Sequence, residues 1–270
     1  MSPQSTEGRG AAWLEALTQN GHRVAGYPAS IAVVDAPLAG QPARYISVVK
    51  DANNRFPRVR NGEVGLVEGW SLARAVSEVI EADQASSIKR PIVAIINVPS
   101  QAYGRREEAF GIHQALAGSA GAYARARQAG HPVIGLIVGK AMSGAFLAHG
   151  YQANRLIALD DAGVMVHAMG KDSAARITLR SVEDLEKFAA KVPPMAYDIG
   201  NYATLGLLWK LLPVHNADKP DADDLKQVSA TLEAALADIA KGPRDLSGRL
   251  LADNRKASAM VRARLQAEWS

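Results

Sequence analysis

Two uninterrupted apolar runs constrain the fold of this chain more than any other feature. The first is Ile92–Ile96, and the second is Val133–Val138, which lies between Pro132 and Gly139. Continuous apolar runs of this length are typical of strands that are buried on both faces of a mostly parallel sheet. The 36 residues between the two runs, 97–132, are enough for a crossover helix, so the sequence predicts a βαβ unit.

A turn follows each predicted strand, and both turns are candidate ligand sites. Gly139–Ala145 follows the second strand and is rich in small residues, which let a ligand approach the backbone closely. Pro99–Glu108 follows the first strand. Ligands of α/β proteins bind outside the carboxyl ends of strands, where free N–H groups can hold negative charge. We therefore predict backbone donors near Gly104 and Gly144, although tight strand–helix packing or a capped loop explains the same residues.

Three side chains near these turns are candidates for chemistry. Ser143 is a possible nucleophile, but its surroundings, Ala141–Ala145, do not match the G-x-S-x-G turn of serine hydrolases. A triad also needs a histidine and an acid that only the fold can bring together. His149 and His167 each lie near an apolar segment and are either structural or acid–base residues.

The rest of the chain predicts a single layered α/β domain with a helical end. Two β-rich segments, Ser30–Val34 and Tyr45–Val49, are expected to pair as a hairpin around a loop with Pro37, Gly40 and Pro42. Periodicity predicts helices over residues 11–18, 70–81, 145–151, 181–191, 195–211 and 221–269, with a break at 242–243, and strands over 155–159 and 164–167.

Composition excludes several classes of function. The 270 residues include no cysteine, which rules out disulfides, a cysteine nucleophile and a thiolate metal site. The six histidines show no H-E-x-x-H arrangement, so no metal site is predicted. The net charge of +4 and the pI of about 9.3 suit an acidic partner but are far from a nucleic-acid signature.

No targeting or membrane segment is visible in the sequence. The first residues include Glu7 and Arg9 and lack the apolar core of a signal peptide. No run approaches the ~20 apolar residues of a membrane span. We therefore expect a soluble, cytoplasmic protein that binds neither nucleic acid nor membrane.

Two further features have two interpretations each. The basic segment Lys50–Arg60 is either a contact for phosphate or an acidic partner, or a solvated loop. Gly111, Ala115, Gly118 and Ala122 share one helix face, which suits a closely packed neighbour. That neighbour is either the chain's own sheet or another subunit.

Residues 92–150 resemble the C-terminal half of acyl-CoA carboxyltransferases, which have the crotonase fold. Their pattern is a strand, a Pro-Gly-Phe-x-x-Gly loop, a helix with Glu and Gly-Ile, a strand after a proline, and a Gly-Gly-Ala turn. The matching residues here are Pro99, Gly104, Glu108, Gly111, Ile112, Pro132, Gly144 and Ala145. Ser100 and Gln101 replace Gly-Phe, and Ser143 replaces the first glycine of the pair; these differences argue against carboxybiotin as the ligand.

A fuller resemblance, over most of the chain, is to the gamma subunits of biotin-independent malonate decarboxylases. It includes the segments Val164–Gly170 and Val192–Tyr197. It implies the α/β class and a crotonase-like fold of repeated ββα units with flanking helices and a helical C-terminal region. The implied domains are a crotonase-like, carboxyltransferase-type domain over residues 1–215 and a helical C-terminal extension over residues 216–270.

The resemblance also implies an activity. In such systems malonyl is a thioester on the phosphopantetheine-type arm, derived from coenzyme A, of an acyl-carrier subunit, which an acyl transferase subunit accompanies. The beta and gamma subunits, both crotonase-fold chains, form one active site that removes CO2 and leaves an acetyl thioester. Fixed donors at the thioester oxygen and exclusion of water lower the barrier to the enolate. No cofactor or metal is expected to bind this chain directly.

Carried over to this sequence, the resemblance implies specific site residues. The catalytic turn residues are Gly144, Ala145 and Ser143, with Gly104 as a further backbone donor. The residues implied to bind substrate are Ala102, Tyr103, Met142 and His149. Tyr103, His149 and water all stay open as the proton donor.

Two alternative functions remain open at this point. In the first alternative the chain is a scaffold that docks an acidic carrier. This alternative rests on residues 241–270, which hold seven Lys or Arg, including Arg255 and Lys256, against three acids. Otherwise it is the carboxyltransferase subunit of a biotin-dependent acyl-CoA carboxylase, which the differences at Ser100, Gln101 and Ser143 disfavour.

Overall fold

The computed structural model of the chain describes residues 8–19, 21–250 and 252–269. Its central element is one sheet with the strands β1 (His22–Arg23), β2 (Ile31–Leu38), β3 (Gln41–Val48), β4 (Ile92–Val98), β5 (Val133–Met142), β6 (Arg155–Asp160), β7 (Met165–His167) and β8 (Lys210–Pro213). The spatial order is β1-β2-β3-β4-β5-β6-β8, and β7 pairs with the later part of β5. The pairs β1–β2 and β2–β3 are antiparallel, and the other pairs are parallel.

Helices cover this sheet and extend from its end. They are α1 (Arg9–Leu17), α2 (Leu66–Ala82), α3 (Arg105–Ala109), α4 (Ile112–Gln128), α5 (Ser143–Ala148), α6 (Lys171–Ile177), α7 (Val182–Ala189), α8 (Ile199–Thr204), α9 (Ala222–Lys241) and α10 (Lys256–Trp269). Short 3-10 turns lie at residues 57–59, 193–195, 247–250 and 253–255. No helix in the described part of the chain is both long enough and apolar enough to cross a membrane.

The predicted βαβ unit is confirmed. β4 and β5 run parallel, with Ile92 opposite Val133 at the start of the pairing, and both strands are almost wholly buried. Two helices lie between them, the short α3 and the long α4. The sheet therefore has a central pair of strands whose carboxyl ends face the same edge.

The predicted hairpin is confirmed, but its loop is shorter than expected. β2 and β3 pair antiparallel up to Leu38 and Gln41, and Pro37 lies opposite Pro42 inside the strands. Only two residues connect the strands, Ala39 with a φ of 50° and Gly40 with a φ of 74°. Two consecutive positive φ angles form the tight turn whose twist matches a hairpin. The prolines are tolerated because they lie at the end of the ladder.

The prediction of a helix over residues 195–211 is wrong. Helix α8 ends at Thr204, Gly206 follows with a φ of 73°, and β8 begins at Lys210. β8 pairs in parallel with β6, with Leu211 opposite Ala158. The periodicity of a short apolar run does not distinguish a buried strand from a helix. Here the left-handed conformation of Gly206 ends the helix before β8 begins.

The two long helices of the C-terminal region differ in their burial. Val228, Leu232 and Ala235 of α9 belong to the same buried core as the sheet, whereas α10 has no buried residue. The core thus continues across the expected boundary at residues 215 and 216. The division into residues 1–215 and 216–270 stays a prediction.

Part of the ridge of small residues on α4 packs against α2, a neighbour that was not predicted, while Ala122 joins the core of the sheet. A Cβ on Gly69 of α2 would lie 3.0 Å from the backbone of Ala115. A Cβ on Gly118 would lie 2.7 Å from the ring of Trp70. The two helix backbones approach so closely because these positions are small.

This packing predicts opposite effects for two glycine substitutions. We expect Gly69→Ala to lower the free energy of unfolding by about 1 kcal/mol, because overpacking against Ala115 outweighs the gain in helix propensity. Gly121 lies on α4, where an added Cβ meets only the Arg125 side chain at 3.4 Å. Gly121→Ala should raise the free energy of unfolding by about 0.5–1 kcal/mol. Urea unfolding measures both, and equal effects would contradict the packing.

Candidate active site

A shift in strand register brings the two predicted turns together. The pairing of β4 with β5 is irregular between Ile96 and Val98. Asn97 lies at this irregularity, and its side-chain Oδ1 accepts a hydrogen bond of 3.0 Å from the Lys140 amide. A Cβ on Gly139 would collide with the Asn97 side chain, so only glycine fits there. The side chain of Asn97 thus replaces a ladder hydrogen bond and fixes how both strands leave the sheet.

Gln101 joins the turn after β4 to the turn after β5. The Gly144 amide donates a hydrogen bond of 3.0 Å to Oε1 of Gln101. A Cβ on Gly144 would collide with that oxygen and would lie 3.1 Å from Leu116. The backbone of Gln101 is held in turn by Val64, which accepts from the Ala102 amide at 2.9 Å. A side-chain carbonyl therefore occupies the amide that was predicted to bind a ligand oxygen.

The hydroxyl groups of Ser143 and Tyr103 form a second link between the turns. They lie 2.7 Å apart, and Oγ of Ser143 also lies 3.5 Å from Oε1 of Gln101. Ser143 has a φ of 58°, a left-handed conformation that is uncommon for a residue other than glycine. Strained residues of this kind concentrate at functional sites. Within the described residues the Ser143 hydroxyl has no hydrogen bond to a histidine or a carboxylate, so the nucleophile hypothesis lacks an aligned general base.

Gly104 lies on the same side as Gly144, because its neighbour Tyr103 contacts Ser143. Gly104 has an extended backbone and precedes α3. Glu107 and Glu108 lie in the first turn of α3, as expected if this loop caps the helix. The Gly104 amide has no hydrogen-bond acceptor among the described residues. Of the two predicted glycine donors, one is therefore occupied by Gln101 and the other is open.

Three further predicted residues contribute walls rather than exposed side chains. Ala145 belongs to the first turn of α5, where amides lack a partner inside the helix, and its side chain is buried. Ala102 is buried against Val59 and Ile112. Met142 is buried in a small cluster with Leu185, Tyr197 and others.

His149, which was predicted to bind substrate, lies in the core. It is completely buried, with Nδ1 3.0 Å from the Tyr123 hydroxyl and Nε2 3.0 Å from the Ile95 carbonyl. Burial lowers the pKa of His149 to about 4. Both ring nitrogens are engaged, which is the geometry of a structural histidine, and we leave His149 out of the proposed site and of the choice of proton donor.

A pocket of about 340 Å³ opens beside the Ser143 turn. Its lining includes Gly144, Phe146 and His167. The His167 ring stacks on Tyr197 with ring centres 3.9 Å apart, and Nδ1 lies 3.0 Å from the Met169 carbonyl. Burial lowers the pKa of His167, which favours its neutral form. The pocket beside the Ser143 turn therefore has a largely apolar lining.

A group of potential metal ligands lies elsewhere, at the start of α9. His215, Asp221 and Asp224 place ligand atoms within 4.8 Å of one another. Asp221 accepts from the Asp224 amide, and Asp224 accepts from the amides of His215 and Asn216. These contacts explain the carboxylates as the cap of the helix.

Comparison with known proteins identifies the family. The family model of the malonate decarboxylase gamma subunit, MdcE, matches residues 59–269 of this chain. The chain belongs to this family. This membership confirms the fuller of the two resemblances in the sequence.

Individual relatives agree with this membership. The chain is 35% identical over 220 residues to the malonyl-S-ACP:biotin-protein carboxyltransferase MADD of Malonomonas rubra, which covers 80% of this chain and 74% of the relative. A Pseudomonas malonate decarboxylase hetero-tetramer in complex with coenzyme A contains a chain with 66% identity and a TM-score of 0.94. A Pseudomonas MdcD-MdcE hetero-dimer gives 62% identity and a TM-score of 0.90. Each match covers 97% of this chain and 99% of the other.

The crotonase-like fold is also confirmed. Transcarboxylase 12S, a carboxyltransferase, matches with a TM-score of 0.64 at 19% identity, over 88% of this chain and 41% of the other. A likeness at this identity supports the fold alone. The mixed α/β sheet with flanking helices is that of the family.

The role of Gln101 was not predicted from the sequence. Gln101 was noted only as a difference from the carboxyltransferase pattern, yet its carboxamide contacts both Gly144 and Ser143. The available signal was its position, a polar residue in the loop between the two predicted strands where the carboxyltransferase pattern has an aromatic one. Only the register shift at Asn97 reveals what it touches.

The buried histidine predicts a loss of stability in acid. The pKa of His149 is about 4 in the folded chain and about 6.5 in an unfolded one. The unfolded chain therefore binds the proton first, and the stability present above pH 6.5 is lost as the pH falls towards 4. At pH 5 the expected loss is about 2 kcal/mol. Denaturant unfolding at pH 7 and pH 5 measures it.

A variant isolates this contribution. His149→Gln should show a smaller difference between the two pH values than the native chain does, because it cannot titrate. His113→Gln, at an exposed position on α4, is the matched control and should keep the native difference. An unchanged pH dependence in His149→Gln would contradict the burial argument.

Proposed function

We propose that this chain acts with a beta subunit to remove CO2 from a malonyl thioester carried by an acyl-carrier subunit. Its membership in the gamma-subunit family supports the general activity. The observation that carries the finer proposal is the contact between the Gly144 amide and Oε1 of Gln101, since a carbonyl oxygen already lies where the thioester oxygen would bind.

The proposed reaction needs a fixed electrostatic environment. The bond between the carboxylate carbon and Cα breaks, CO2 leaves, and the electron pair becomes an enolate with its charge on the thioester oxygen. Backbone donors that are fixed in place stabilise such charge without reorganisation, at about 3–4 kcal/mol per donor. We assign this role to the amides of Gly144 and Ala145, with Gly104 as a further donor.

Gln101 is proposed to hold this site while no substrate is bound. Its carboxamide oxygen satisfies the Gly144 amide, which prevents a polar group from being left without a partner. On binding, the thioester oxygen takes the place of Oε1 and the Gln101 side chain rotates away. Such an exchange keeps the donor in position until an acceptor oxygen of the ligand competes for it.

Protonation of Cα completes the reaction and gives the acetyl thioester. With His149 buried, Tyr103 and water are the remaining candidates for the proton donor. Tyr103 is half exposed and its hydroxyl contacts Ser143, so it reaches the turn that bears the proposed donors. We assign Tyr103 and Ser143 to the positioning of the substrate, with Ala102 and Met142 as the buried wall beneath it.

The proposed partners follow from the relatives. The Pseudomonas hetero-dimer contains MdcD beside the related chain, which supports a beta subunit that completes this site. The bound coenzyme A of the hetero-tetramer and the malonyl-S-ACP of the Malonomonas relative support a thioester on a phosphopantetheine-type arm. An acyl-carrier subunit and an acyl transferase subunit are proposed on the same grounds.

A biotin-dependent carboxyltransferase is the second candidate, because MADD, at 35% identity, transfers its carboxyl group to a biotin protein. The scaffold alternative has less support. Arg249 of the basic tail donates to the carbonyls of Tyr151 and Ala153, and Lys256 pairs with Asp253 at 2.8 Å. Arg249 thus attaches the tail to the rest of the chain, whereas the Lys256–Asp253 pair lies within the tail.

A single substitution tests the assigned donor. We expect Gly144→Ala to lower the rate of CO2 release by at least tenfold in the assembled enzyme, because its Cβ displaces Gln101 and the turn that aims the amide. The measurement is release of labelled CO2 from malonyl-loaded carrier. Gly121→Ala introduces the same methyl group far from the turn and should keep the native rate. A native rate in a folded Gly144→Ala variant would remove the assignment.

A second variant and an inhibitor separate the remaining possibilities. Gln101→Ala should lower KM for the loaded carrier without lowering kcat, since the substrate no longer displaces a side chain. A fall in kcat would instead make Gln101 a part of the catalytic site. Avidin should leave CO2 release unchanged, whereas inhibition by avidin would favour the biotin-dependent alternative.

A further inference from the structure

A cleft of about 950 Å³ lies beside the proposed active site and has no role in the chemistry described so far. It is bounded by the 3-10 turn at Pro57–Val59, by the first turn of α2 and by α3. Ala102 and Gly104 line it as well. The cleft therefore reaches the loop that carries Tyr103 and approaches the Ser143 turn.

The cleft carries an excess of positive charge. Arg55, Arg58, Arg105 and Arg106 line it, and all four are exposed. No ion pair of these arginines with an acid is found in the described part of the chain. Four arginines thus line one cavity, and none of them forms a salt bridge with a described carboxylate.

The lining of the cleft holds two acids against the four arginines. Glu68 is buried, and its carboxylate accepts hydrogen bonds from the Ser30 hydroxyl, the Asn54 amide group and the Gly65 amide. Glu107 is the other acid in the lining, and its carboxylate and the Arg58 guanidinium both lie against Gly104. Because Glu68 also caps the amino end of α2, the excess of positive charge in the cleft comes from the arginines.

The rest of the lining is apolar. Val59 and Ala102 are buried in a small cluster with Ile112 at the base of the cleft, and Phe56 packs against this cluster. Phe110 lines the cleft with 70% of its surface exposed. A ligand that fits this surface has an anionic group for the arginines and an uncharged, partly apolar chain for the base.

We propose that this cleft binds the phosphate ester of a phosphopantetheine arm, with the pantetheine chain running along the apolar base towards Gly104. Arginine favours phosphate because its planar group donates two parallel hydrogen bonds. The site rests on the proposed function, since it holds the arm whose thioester reacts at Gly144. It assigns to this chain, rather than to its partner alone, a share in binding the carrier's arm.

The experiment compares two ligands that differ only in the phosphate. Calorimetry gives the dissociation constants of 4′-phosphopantetheine and of pantetheine for the complex of this chain with its beta subunit. We expect the phosphate to strengthen binding by roughly tenfold or more, the effect of one or more charge-assisted hydrogen bonds. In the double variant Arg58→Ala and Arg105→Ala, the ratio of the dissociation constant of pantetheine to that of 4′-phosphopantetheine should fall close to one.

A control variant and the results that would overturn the proposal use the same ratio of dissociation constants. Arg23→Ala removes an exposed arginine from the edge strand β1 and should keep the native ratio. Equal binding of the two ligands by the native complex would overturn the proposal. A phosphate preference that persists in the double variant would also overturn it, because the phosphate would then bind elsewhere.

Competition identifies the source of the ligand. Displacement of 4′-phosphopantetheine by the loaded carrier assigns the cleft to the carrier's arm, and displacement by coenzyme A alone assigns it to the free coenzyme; either supports the site. Displacement by neither overturns it. CO2 release is measured separately, so that an inactive complex with a phosphate preference refutes the proposed function and leaves the cleft assignment standing.

Discussion

The register shift at Asn97 is the constraint on which the site depends. Its side chain accepts from the Lys140 amide and occupies the space that a side chain on Gly139 would need. Without this shift, β4 and β5 would leave the sheet in step, and the turns after them would take other directions. A bulge of this kind adjusts the aim of following residues at a local cost in sheet pairing, which the Asn97 hydrogen bond partly offsets.

The contact between Gln101 and Gly144 is a consequence of that geometry. A half-buried amide without a partner costs roughly 1–3 kcal/mol, and Gln101 supplies the missing acceptor in the free chain. The left-handed Ser143 beside it belongs to the same turn. A turn prepared for a carbonyl oxygen can therefore persist in a stable chain, because the chain provides its own carbonyl until a ligand competes for the amide.

The central strands could be predicted from the sequence because strands that are buried on both faces require continuous apolar runs. The sequence predicted the position of the two turns for the same reason. It did not predict β8, because the mostly apolar run Leu205–Leu211 fits a helix and a strand equally well. In the structure Gly206 ends the helix. The contacts of Gln101 and the burial of His149 depend on long-range packing between strands and helices, which local periodicity does not contain.

The central claim is that one amide serves two oxygens in turn. A structure of this chain with its beta subunit and a malonyl thioester analogue that cannot lose CO2 would test it most directly. The account predicts the analogue's thioester oxygen within hydrogen-bond distance of the Gly144 amide, with the Gln101 side chain rotated away. A bound analogue whose oxygen lies elsewhere, while Gln101 still accepts from Gly144, would contradict it.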